Sequence, residues 1–428
     1  MPLSCVLITG FISLMAPTLD AAAKPSTSGC QPVVPTQNLA EILRTATPKS
    51  CFALASGTYS GPVRISSGVR VVGPRTATIK SSGTGTTVRI EGDNAYLEGV
   101  TVDGSGGRFD TLDAAVHIQG IGSTVASIRV VNAVFGILAE KSARLVIRNN
   151  QVLGPRDEAL GLRGDGIRLW ETRESLIAEN EVTYGRDIVV WYSSDNQIVD
   201  NVVTHGRYGT HLMYSHRNRV AGNDYFHDVV GLFLMYSRDV EVENNRIVHA
   251  AGAAGVGLGI KESGNLTVRR NRFTHVSVGV YLDTSPLDLS DHNLFAKNIF
   301  QLADVGVLFH SSEQRNVFRR NIFVDNRSQV RVEGGGDALG VVWEENDFDD
   351  YAGFDLDGDQ LGDVPYELRD LSEDLIGRYP QLGFFRGTPA LAMVNAASHW
   401  LPLLQARSLL RDPHPAMGSI HKEDIGAR

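Results

Sequence analysis

Three side chains near the middle of the chain carry the donor atoms that a soft metal ion prefers. His211 and Met213 are separated by one residue, and Met235 follows in a very similar segment further along. Imidazole nitrogen suits copper, and thioether sulfur selects Cu(I) over harder cations. If the three side chains share one face of the fold, they form a copper site whose expected ion is Cu(I).

A column of four histidines offers a second set of possible ligands. Each lies four residues after an asparagine in consecutive similar segments, so a periodic fold would place neighbouring rings roughly 4.8 Å apart, about one strand spacing. The column is either an alternative copper site or a hydrogen-bonded ladder inside the fold, because its spacing also matches that of inward apolar residues. Its members are His205, His227, His249 and His275.

The segments that must position these side chains form a repeat between residues 166 and 271. Each of five copies holds two short stretches of alternating apolar residues and no run with the period of a helix. The terminal asparagines recur every 21 to 26 residues, which is typical of one coil of a parallel β-helix. We therefore predict an all-β fold, a right-handed parallel β-helix, in which equivalent residues of successive coils stack. The copies begin at Gly166, Asp187, Gly209, Gly231 and Gly257 and end at Asn180, Asn201, Asn223, Asn245 and Asn271.

Strand alternation within each copy predicts which side chains point away from the core. Residues one and three after the leading position are apolar and are expected to face inward, so those two and four after it face outward. The outward face then carries a contiguous apolar ridge. Such a surface indicates a partner-binding site, or else a small second core beneath loops at residues 104–113 and 151–165. The ridge consists of Trp170, Val189, Trp191 and Phe233, with His211, Met213 and Met235 among them.

Composition and the N-terminal sequence suggest one exported solenoid. The 428 residues include 44 glycines and only 7% aromatic residues, and the net charge of −9 argues against a nucleic-acid partner. Residues 1–23 combine a short apolar core with small residues, as in a secretory signal peptide. We predict a signal peptide at 1–23, a parallel β-helix at 24–365 with regular coils at about 166–346, and a C-terminal extension at 366–428 with a docking helix.

The segment after the signal carries the two cysteines that would remain after export. Because Cys5 would leave with the signal, a disulfide bond between Cys30 and Cys51 is expected, the alternative being two unrelated thiols. Thr36 is predicted to cap a short helix at 39–45. This helix would close the open end of the solenoid core.

An acidic segment near the C-terminus resembles a calcium-binding loop. Its carboxylates occupy positions 1, 3, 5 and 9 of that loop, although Tyr366 stands where a bidentate glutamate is needed. The segment is either a structural calcium site or a carboxylate-rich turn that closes the last coil. The four residues are Asp355, Asp357, Asp359 and Asp363.

The C-terminal extension contains a predicted helix with its own apolar residues. Thr388 and Pro389 indicate a helix start, and the helix is expected to run to about residue 404 with a break near Pro402. Such a helix either caps the solenoid or docks onto a partner. Its apolar anchors are Leu391, Val394, Trp400 and Leu401.

Several motifs together make the chain resemble the NosD family. These are Trp191-Tyr-Ser, the paired Leu-Met-Tyr-Ser segments at 212–215 and 234–237, the segment Gly257–Lys261, the acidic segment at 349–366, and the terminal Asp412-Pro-His-Pro-Ala-Met417. The resemblance implies a periplasmic β-helix protein, not an enzyme, that takes part in the maturation of nitrous oxide reductase.

The same resemblance implies a set of partners and a cargo. The expected partners are an ABC permease with its ATPase, a copper chaperone lipoprotein and nitrous oxide reductase itself, and the protein would be peripheral to the membrane through the permease. The expected cargo is copper or sulfur for the copper clusters of the reductase. The resemblance does not identify copper ligands, so His211, Met213 and Met235 rest on spacing and donor chemistry, and the tail helix is our candidate for the permease contact.

The main alternative is a β-helix polysaccharide lyase or uronan epimerase. Those enzymes need a base and charge-neutralising groups on one outward face. Here the outward columns are Trp, Met, Val and Phe, with Arg168, Lys261 and Asp283 at the edges of the block. A surface adhesin, which would need no permease, is a third possibility. We expect no enzymatic activity.

Overall fold

The structure, a computed structural model, describes residues 27–386, 388–400 and 407–418. The predicted signal peptide at 1–23 lies outside these residues, as does Leu401. The described chain winds into a parallel β-solenoid of about fourteen coils, which confirms the predicted parallel β-helix. Most coils contribute one short strand to each of three long parallel sheets.

The first sheet has fourteen strands. In chain order they are Gln31–Val33, Cys51–Leu54, Arg70–Val72, Tyr96–Glu98, Thr124–Ala126, Val146–Arg148, Leu176–Ala178, Gln197–Val199, Arg219–Ala221, Glu241–Glu243, Thr267–Arg269, Asn293–Ala296, Asn316–Arg319 and Val342–Glu344.

The second sheet has twelve strands and carries the predicted ridge. They are Val63–Ser66, Val88–Glu91, Ala114–Gln119, Phe135–Glu140, Ile167–Trp170, Asp187–Trp191, Tyr208–Met213, Val230–Met235, Val256–Lys261, Val278–Asp283, Val305–Phe309 and Val330–Val332.

The third sheet has thirteen strands, and the predicted histidine column follows it. They are Gly57–Ser60, Ala77–Lys80, Thr101–Asp103, Arg129–Val131, Gln151–Leu153, Glu181–Thr183, Val202–Thr204, Asp224–Phe226, Arg246–Val248, Arg272–Thr274, Ile299–Gln301, Ile322–Val324 and Asp347–Phe348.

Helices are few and lie mostly at the two ends. The α-helices span Leu39–Arg44, Leu371–Arg378 and Pro389–Trp400, and short 3-10 turns span Leu160–Leu162, Glu333–Gly335 and Pro380–Phe385. A two-stranded antiparallel hairpin pairs Tyr366–Leu368 with Leu410–Asp412. Across the described ranges, none of these helices has the length and apolar character needed to cross a membrane.

Asparagine side chains hold successive coils in register. In a continuous ladder, the backbone N–H and the side-chain amide of each asparagine donate to the side-chain oxygen of its counterpart one coil later, at about 3 Å. Buried amides need such partners because an unpaired buried donor is costly. The ladder comprises Asn150, Asn180, Asn201, Asn223, Asn245, Asn271, Asn298, Asn321 and Asn346.

The N-terminal end is closed by the short helix at Leu39–Arg44, as the sequence indicates. Leu39 and Leu43 are buried against the first coils. The predicted cap residue was wrong: Asn38, not Thr36, accepts a hydrogen bond from the backbone N–H of Glu41 at 3.2 Å. Thr36 lies too far ahead of the first helical residue to reach that N–H group.

Cys30 and Cys51 form a disulfide bond at the start of the first two strands of the first sheet. Those strands pair in parallel with Gln31 opposite Phe52. The register therefore brings the preceding cysteines together, with Cα atoms 4.5 Å apart.

The C-terminal end is closed by the hairpin. Inside the last coils a stack of aromatic rings runs from Phe273 through Phe300 and Phe323 to Phe348, and the ring of Tyr366 lies on its end at 4.0 Å. Asp412 in the second hairpin strand accepts both amide hydrogen bonds of Asn346. The C-terminal extension thus completes both the apolar core and the asparagine ladder.

Candidate functional site

Three neighbouring strands of the second sheet bring the predicted soft donors together. In the strand register, His211 lies between Val189 and Phe233, and Met213 lies between Trp191 and Met235. These are the outward columns that strand alternation predicts. Side chains from three coils therefore meet on one small area of the outer face.

His211 and Met235 are in direct contact at the centre of this area. The imidazole Nε2 lies 3.3 Å from the sulfur of Met235. His211 is only 5% exposed, whereas Met213 and Met235 are half-buried. The two soft donors thus face each other at the edge of the solvent.

The other nitrogen of His211 is occupied by a tryptophan. The indole N–H of Trp191 donates to Nδ1 of His211 at 3.3 Å, with the two rings nearly perpendicular. Tyr208 also packs against this ring, with its centroid 4.8 Å from that of His211. These neighbours fix the orientation of the imidazole.

A set of ion pairs borders the site and was not anticipated from the sequence. Arg207 pairs with the buried Asp187, and Arg186 pairs with the buried Asp165 at 2.7 Å. Arg168 also contacts Asp165, and its guanidinium lies over the rings of both ridge tryptophans. The regular spacing of Arg186 and Arg207 was visible in the sequence, but these residues precede the outward positions of the repeat and were therefore not assigned to the site.

Electrostatics keep the imidazole uncharged. Burial, together with the positive charges of Arg207 and Arg186, lowers the pKa of His211 to about 4. Burial raises the pKa of Asp187, against the opposing effect of its bond to Arg207. At neutral pH a cation approaching His211 therefore meets a neutral ring.

The donor set suits one soft cation. Bonds from metal ions to imidazole nitrogen and sulfur are roughly 2.0–2.3 Å long, so donors 3.3 Å apart can bind the same ion. Met213 is the register partner of Met235 on the neighbouring strand, so its thioether lies on the same face of the sheet. A hard cation would be poorly served by this apolar, sulfur-containing environment.

The ridge is more deeply packed than the sequence suggests. Trp170 and Trp191 are half-buried, with ring centroids 5.9 Å apart. Val189 and His211 were expected to be open to solvent, but both are buried. Large neighbouring side chains on the same face cover them, which strand alternation cannot predict.

Phe233 completes the ridge on its C-terminal side. Its ring lies over Gly259 of the next strand, so closely that a Cβ atom at Gly259 would stand 2.4 Å from it. The glycine therefore creates the space that Phe233 occupies.

The two long loops make contacts at the border of the ridge and beyond it. Phe109 of the first loop packs edge-on against Phe135 at 5.2 Å, above a small second apolar cluster. Arg163 of the second loop donates to the backbone oxygen of His205 and lies over the ring of Tyr184. The contacts of these loops thus lie beside the ridge.

The histidine column forms an exposed stack, so the alternative of an internal ladder was wrong. Neighbouring ring centroids are 5.4, 4.8 and 5.1 Å apart, and the ring planes are inclined by 27°, 4° and 28°. Each histidine directly follows a strand of the third sheet and has a positive φ between 52° and 63°, which breaks strand alternation and turns the side chain outward. The stacked residues are His205, His227, His249 and His275.

A second exposed stack, this time of tyrosines, borders the ridge and was missed. Tyr192, Tyr214 and Tyr236 stack with centroids 5.3 and 4.7 Å apart, and Trp170 meets Tyr192 edge-on. The signal was present in the sequence, because each tyrosine directly follows a ridge residue. Since its members face one another, the stack presents ring edges to solvent.

The acidic segment forms a tight, exposed turn. Asp355, Asp357 and Asp363 each bring one carboxylate oxygen within 4.8 Å of the others. Asp359 instead accepts the backbone N–H of Leu361 at 2.8 Å. Because Asp355 also accepts the N–H groups of Gly358 and Gln360, the carboxylates serve the turn itself, and calcium binding stays a prediction.

The predicted docking helix begins at Pro389 and extends to Trp400. Leu391 is buried, whereas Val394 is exposed and Met393 is 72% exposed. The side chain of Trp400 and all of Leu401 lie outside the described residues. One face of the helix therefore offers apolar side chains to solvent.

Comparison with known families gives a match over the coils that hold the site. Residues 154–352 match the family model described as "Periplasmic copper-binding protein (NosD)". A "Probable ABC transporter binding protein NosD" from Pseudomonas aeruginosa is 31% identical over 384 residues, which cover 86% of this chain and 88% of that protein. A protein of the same description from Stutzerimonas stutzeri is 28% identical over 131 residues, 29% of each chain.

Comparison with solved structures shows the fold alone. The A-module of a mannuronan C-5 epimerase, AlgE6, from Azotobacter vinelandii matches with a TM-score of 0.56 at 14% identity, over 73% of this chain and 94% of that one. The catalytic unit of an α-1,3-glucanase from Streptomyces thermodiastaticus matches with a TM-score of 0.53, also at 14% identity, over 78% and 71%. Both are β-solenoids with sequences far from this one.

Proposed function

This chain belongs to the NosD family, and from that premise we propose that it is a periplasmic copper-binding protein that works with an ABC transporter and binds its copper at the centre of the ridge. The observation that supports this site most directly is the 3.3 Å contact between Nε2 of His211 and the sulfur of Met235. We further propose that the copper is destined for the copper clusters of nitrous oxide reductase.

Copper, rather than sulfur, is the cargo that the site favours. The donors are an imidazole and thioethers, which prefer Cu(I). The paired arginines border the site, but each contacts a buried carboxylate, so their charge is largely compensated and offers little attraction for a sulfur anion. A bound Cu(I) ion would lie at the edge of solvent, where a second protein can reach it.

The ridge is the proposed contact for the proteins that deliver and receive copper. Trp170, Trp191 and Phe233 surround the donors with half-buried apolar surface, and aromatic residues of this kind are enriched in protein interfaces. We propose that a copper chaperone lipoprotein and nitrous oxide reductase bind here.

The helix at Pro389–Trp400 is the proposed contact for the permease, which would connect the protein to the ATPase of the transporter. Its exposed Met393 and Val394 lie away from the coils that carry the copper site. This separation would let the protein stay at the membrane surface while its ridge remains free.

An enzymatic role has less support. The homologues are named as binding proteins, while the solved polysaccharide-modifying enzymes share only the fold. The one histidine buried within the ridge has both ring nitrogens engaged, by Trp191 and by Met235. It is therefore poorly placed as a general base.

Competition of the purified protein with a chromophoric Cu(I) chelator tests the site. We expect His211→Ala and Met235→Ala to weaken Cu(I) binding by about tenfold or more, since each removes a direct ligand, and Met213→Ala to weaken it less. Met393→Ala, which removes an exposed thioether on the tail helix, is the matched control and should leave affinity unchanged.

The same titration separates the ridge from the histidine column. Unchanged affinity in all three ridge variants, combined with a loss in His227→Ala, would transfer the copper site to the column and refute the ridge assignment.

A further inference from the structure

The three groups at the centre of the ridge form a directed hydrogen-bond chain. The indole N–H of Trp191 can only donate, so Nδ1 of His211, 3.3 Å away, must accept with its lone pair. An imidazole that accepts at one nitrogen is neutral and carries its single proton on the other. That proton lies on Nε2 and points at the sulfur of Met235.

This arrangement leaves the metal-free site closed to a cation. The nitrogen that faces the sulfur carries a proton where a metal ion would need a lone pair. The nitrogen that has a lone pair is covered by the indole of Trp191, whose ring is nearly perpendicular to the imidazole with centroids 5.4 Å apart. His211 therefore cannot become a ligand without a change in its hydrogen bonds.

We propose that Trp191 is a positioning residue that locks His211 in the Nε2–H tautomer, and that a soft cation enters only when the proton moves to Nδ1 and the Trp191–His211 hydrogen bond breaks. This inference rests on the proposed copper function. The exchange is balanced: Nε2 loses a proton and gains the cation, Nδ1 gains a proton, and the indole N–H loses its imidazole acceptor and is left to water. Cation binding at His211 thus releases no net proton.

The side chains packed around Trp191 and His211 explain why the hydrogen bond between them is stable. Trp191 packs against Trp170 and lies beneath the guanidinium of Arg168, whose carbon is 5.2 Å from the ring centroid. Tyr208 packs against the ring of His211. Because both rings are held in place, the tautomer depends on the indole N–H rather than on solvent.

The lock has a consequence for affinity and for release. Breaking the Trp191–His211 hydrogen bond costs free energy on cation binding. The cation is therefore held less tightly than its ligands alone would hold it. When the ion leaves, the bond re-forms and closes the site again. A carrier that must pass its cargo onward benefits from both effects.

The experiment uses the metal-free full chain and then the same protein with Cu(I) alone. In the metal-free protein, two-bond ¹H–¹⁵N correlation spectra should show His211 with an unprotonated Nδ1 and a protonated Nε2. Trp191→Phe keeps an aromatic ring but removes the donor, and we expect it to give a mixture of tautomers. Its Cu(I) affinity should rise by about two- to tenfold, the range expected when one neutral hydrogen bond no longer has to be broken.

The matched control is Tyr281→Phe. The hydroxyl of Tyr281 lies 3.4 Å from Nδ1 of a different histidine, His310, so this variant also keeps a ring and removes a polar hydrogen beside an imidazole. It should leave the tautomer of His211 and the Cu(I) affinity unchanged. Should Trp191→Phe fail to fold, the spectrum of the unmodified protein alone still decides the tautomer.

The outcomes separate this inference from the proposed function. An Nδ1–H tautomer in the metal-free protein, or an unchanged affinity in Trp191→Phe, overturns the lock even if copper binds at the ridge. An Nε2–H tautomer in a protein that binds no Cu(I) upholds the role of Trp191 in setting the tautomer, but overturns the copper function and the cation exchange that rests on it.

Discussion

His211 is buried although it lies on the outer face of its sheet, and this burial gives the residue its chemistry. Solvent is excluded by Trp191, Tyr208 and Phe233, so the ring makes specific contacts with an indole and a thioether. The columns of the repeat predicted which side chains meet here. They could not predict burial, because it depends on how large side chains lean across neighbouring coils.

The close contact between Gly259 and Phe233 predicts the effect of a substitution at Gly259. A methyl group at this position would collide with the ring of Phe233, whose nearest atom would be 2.4 Å from the new Cβ. Gly259→Ala should therefore displace Phe233 and destabilise the fold by about 1–3 kcal/mol, as overpacking does, when measured by urea unfolding.

Gly161→Ala is the control for that measurement. A Cβ atom at Gly161 would have no neighbour within 4 Å, so this substitution should change stability by less than about 0.5 kcal/mol. Equal stability of both variants would show that Phe233 does not lie over Gly259.

The asparagine ladder ends on a residue that lies outside the repeated coils. Asp412 accepts the backbone N–H and the side-chain amide of Asn346, as a ladder asparagine would. The coils were predictable because their spacing recurs. The closing hairpin occurs once, far along the chain, and periodicity contains no information about it.

Removal of the Asp412 side chain tests its capping role. Asp412→Ala leaves two buried donors of Asn346 without an acceptor and should cost about 2 kcal/mol or more. Asp412→Asn retains an acceptor oxygen in ladder geometry and should preserve stability. Thermal or urea unfolding distinguishes the two, and equal losses would argue against a ladder continued by hydrogen bonds.

The contact between Asp412 and Asn346 also predicts that the stability of the protein depends on pH. Burial raises the pKa of Asp412 despite the hydrogen bonds it accepts, so the folded protein binds this proton more tightly than the unfolded chain does. Its contribution to stability is present below the unfolded value of about 4 and is lost as pH rises through the raised pKa. Asp412→Asn should therefore gain stability relative to the unmodified protein as the pH rises above about 4, and a difference that does not change with pH would contradict this account.

The histidine stack shows where sequence reasoning reaches its limit within an element. Alternation holds up to Thr204, Phe226, Val248 and Thr274 at the ends of their strands. The next residue in each coil has a positive φ, which reverses the expected direction of its side chain. The spacing of the four histidines was therefore predictable from the sequence. The outward direction of their side chains was not.

Across the whole molecule, the solenoid keeps its proposed binding surfaces apart. The ridge lies on the second sheet, the histidine stack follows the third sheet, and the tail helix lies beyond the last coil. A rigid parallel solenoid holds these surfaces at fixed positions, so one partner can bind while another remains attached. The proposed division into a copper site and a permease contact depends on this separation.

Charged substitutions on the tail helix test that division. Met393→Asp combined with Val394→Asp should abolish co-purification with the membrane permease while leaving Cu(I) affinity unchanged, because the helix lies outside the copper site. Leu289→Asp alters a side chain that is 80% exposed in an inserted turn and should preserve co-purification. Retained permease binding by the helix variant would locate the contact elsewhere.

X-ray absorption at the copper edge of the Cu(I)-loaded protein tests the central claim most directly. The proposed site predicts a first shell that contains both imidazole nitrogen and thioether sulfur, with the sulfur contribution reduced in Met235→Ala and the imidazole contribution lost in His211→Ala. A shell made only of nitrogen or oxygen, unchanged in both variants, would contradict copper binding at the ridge.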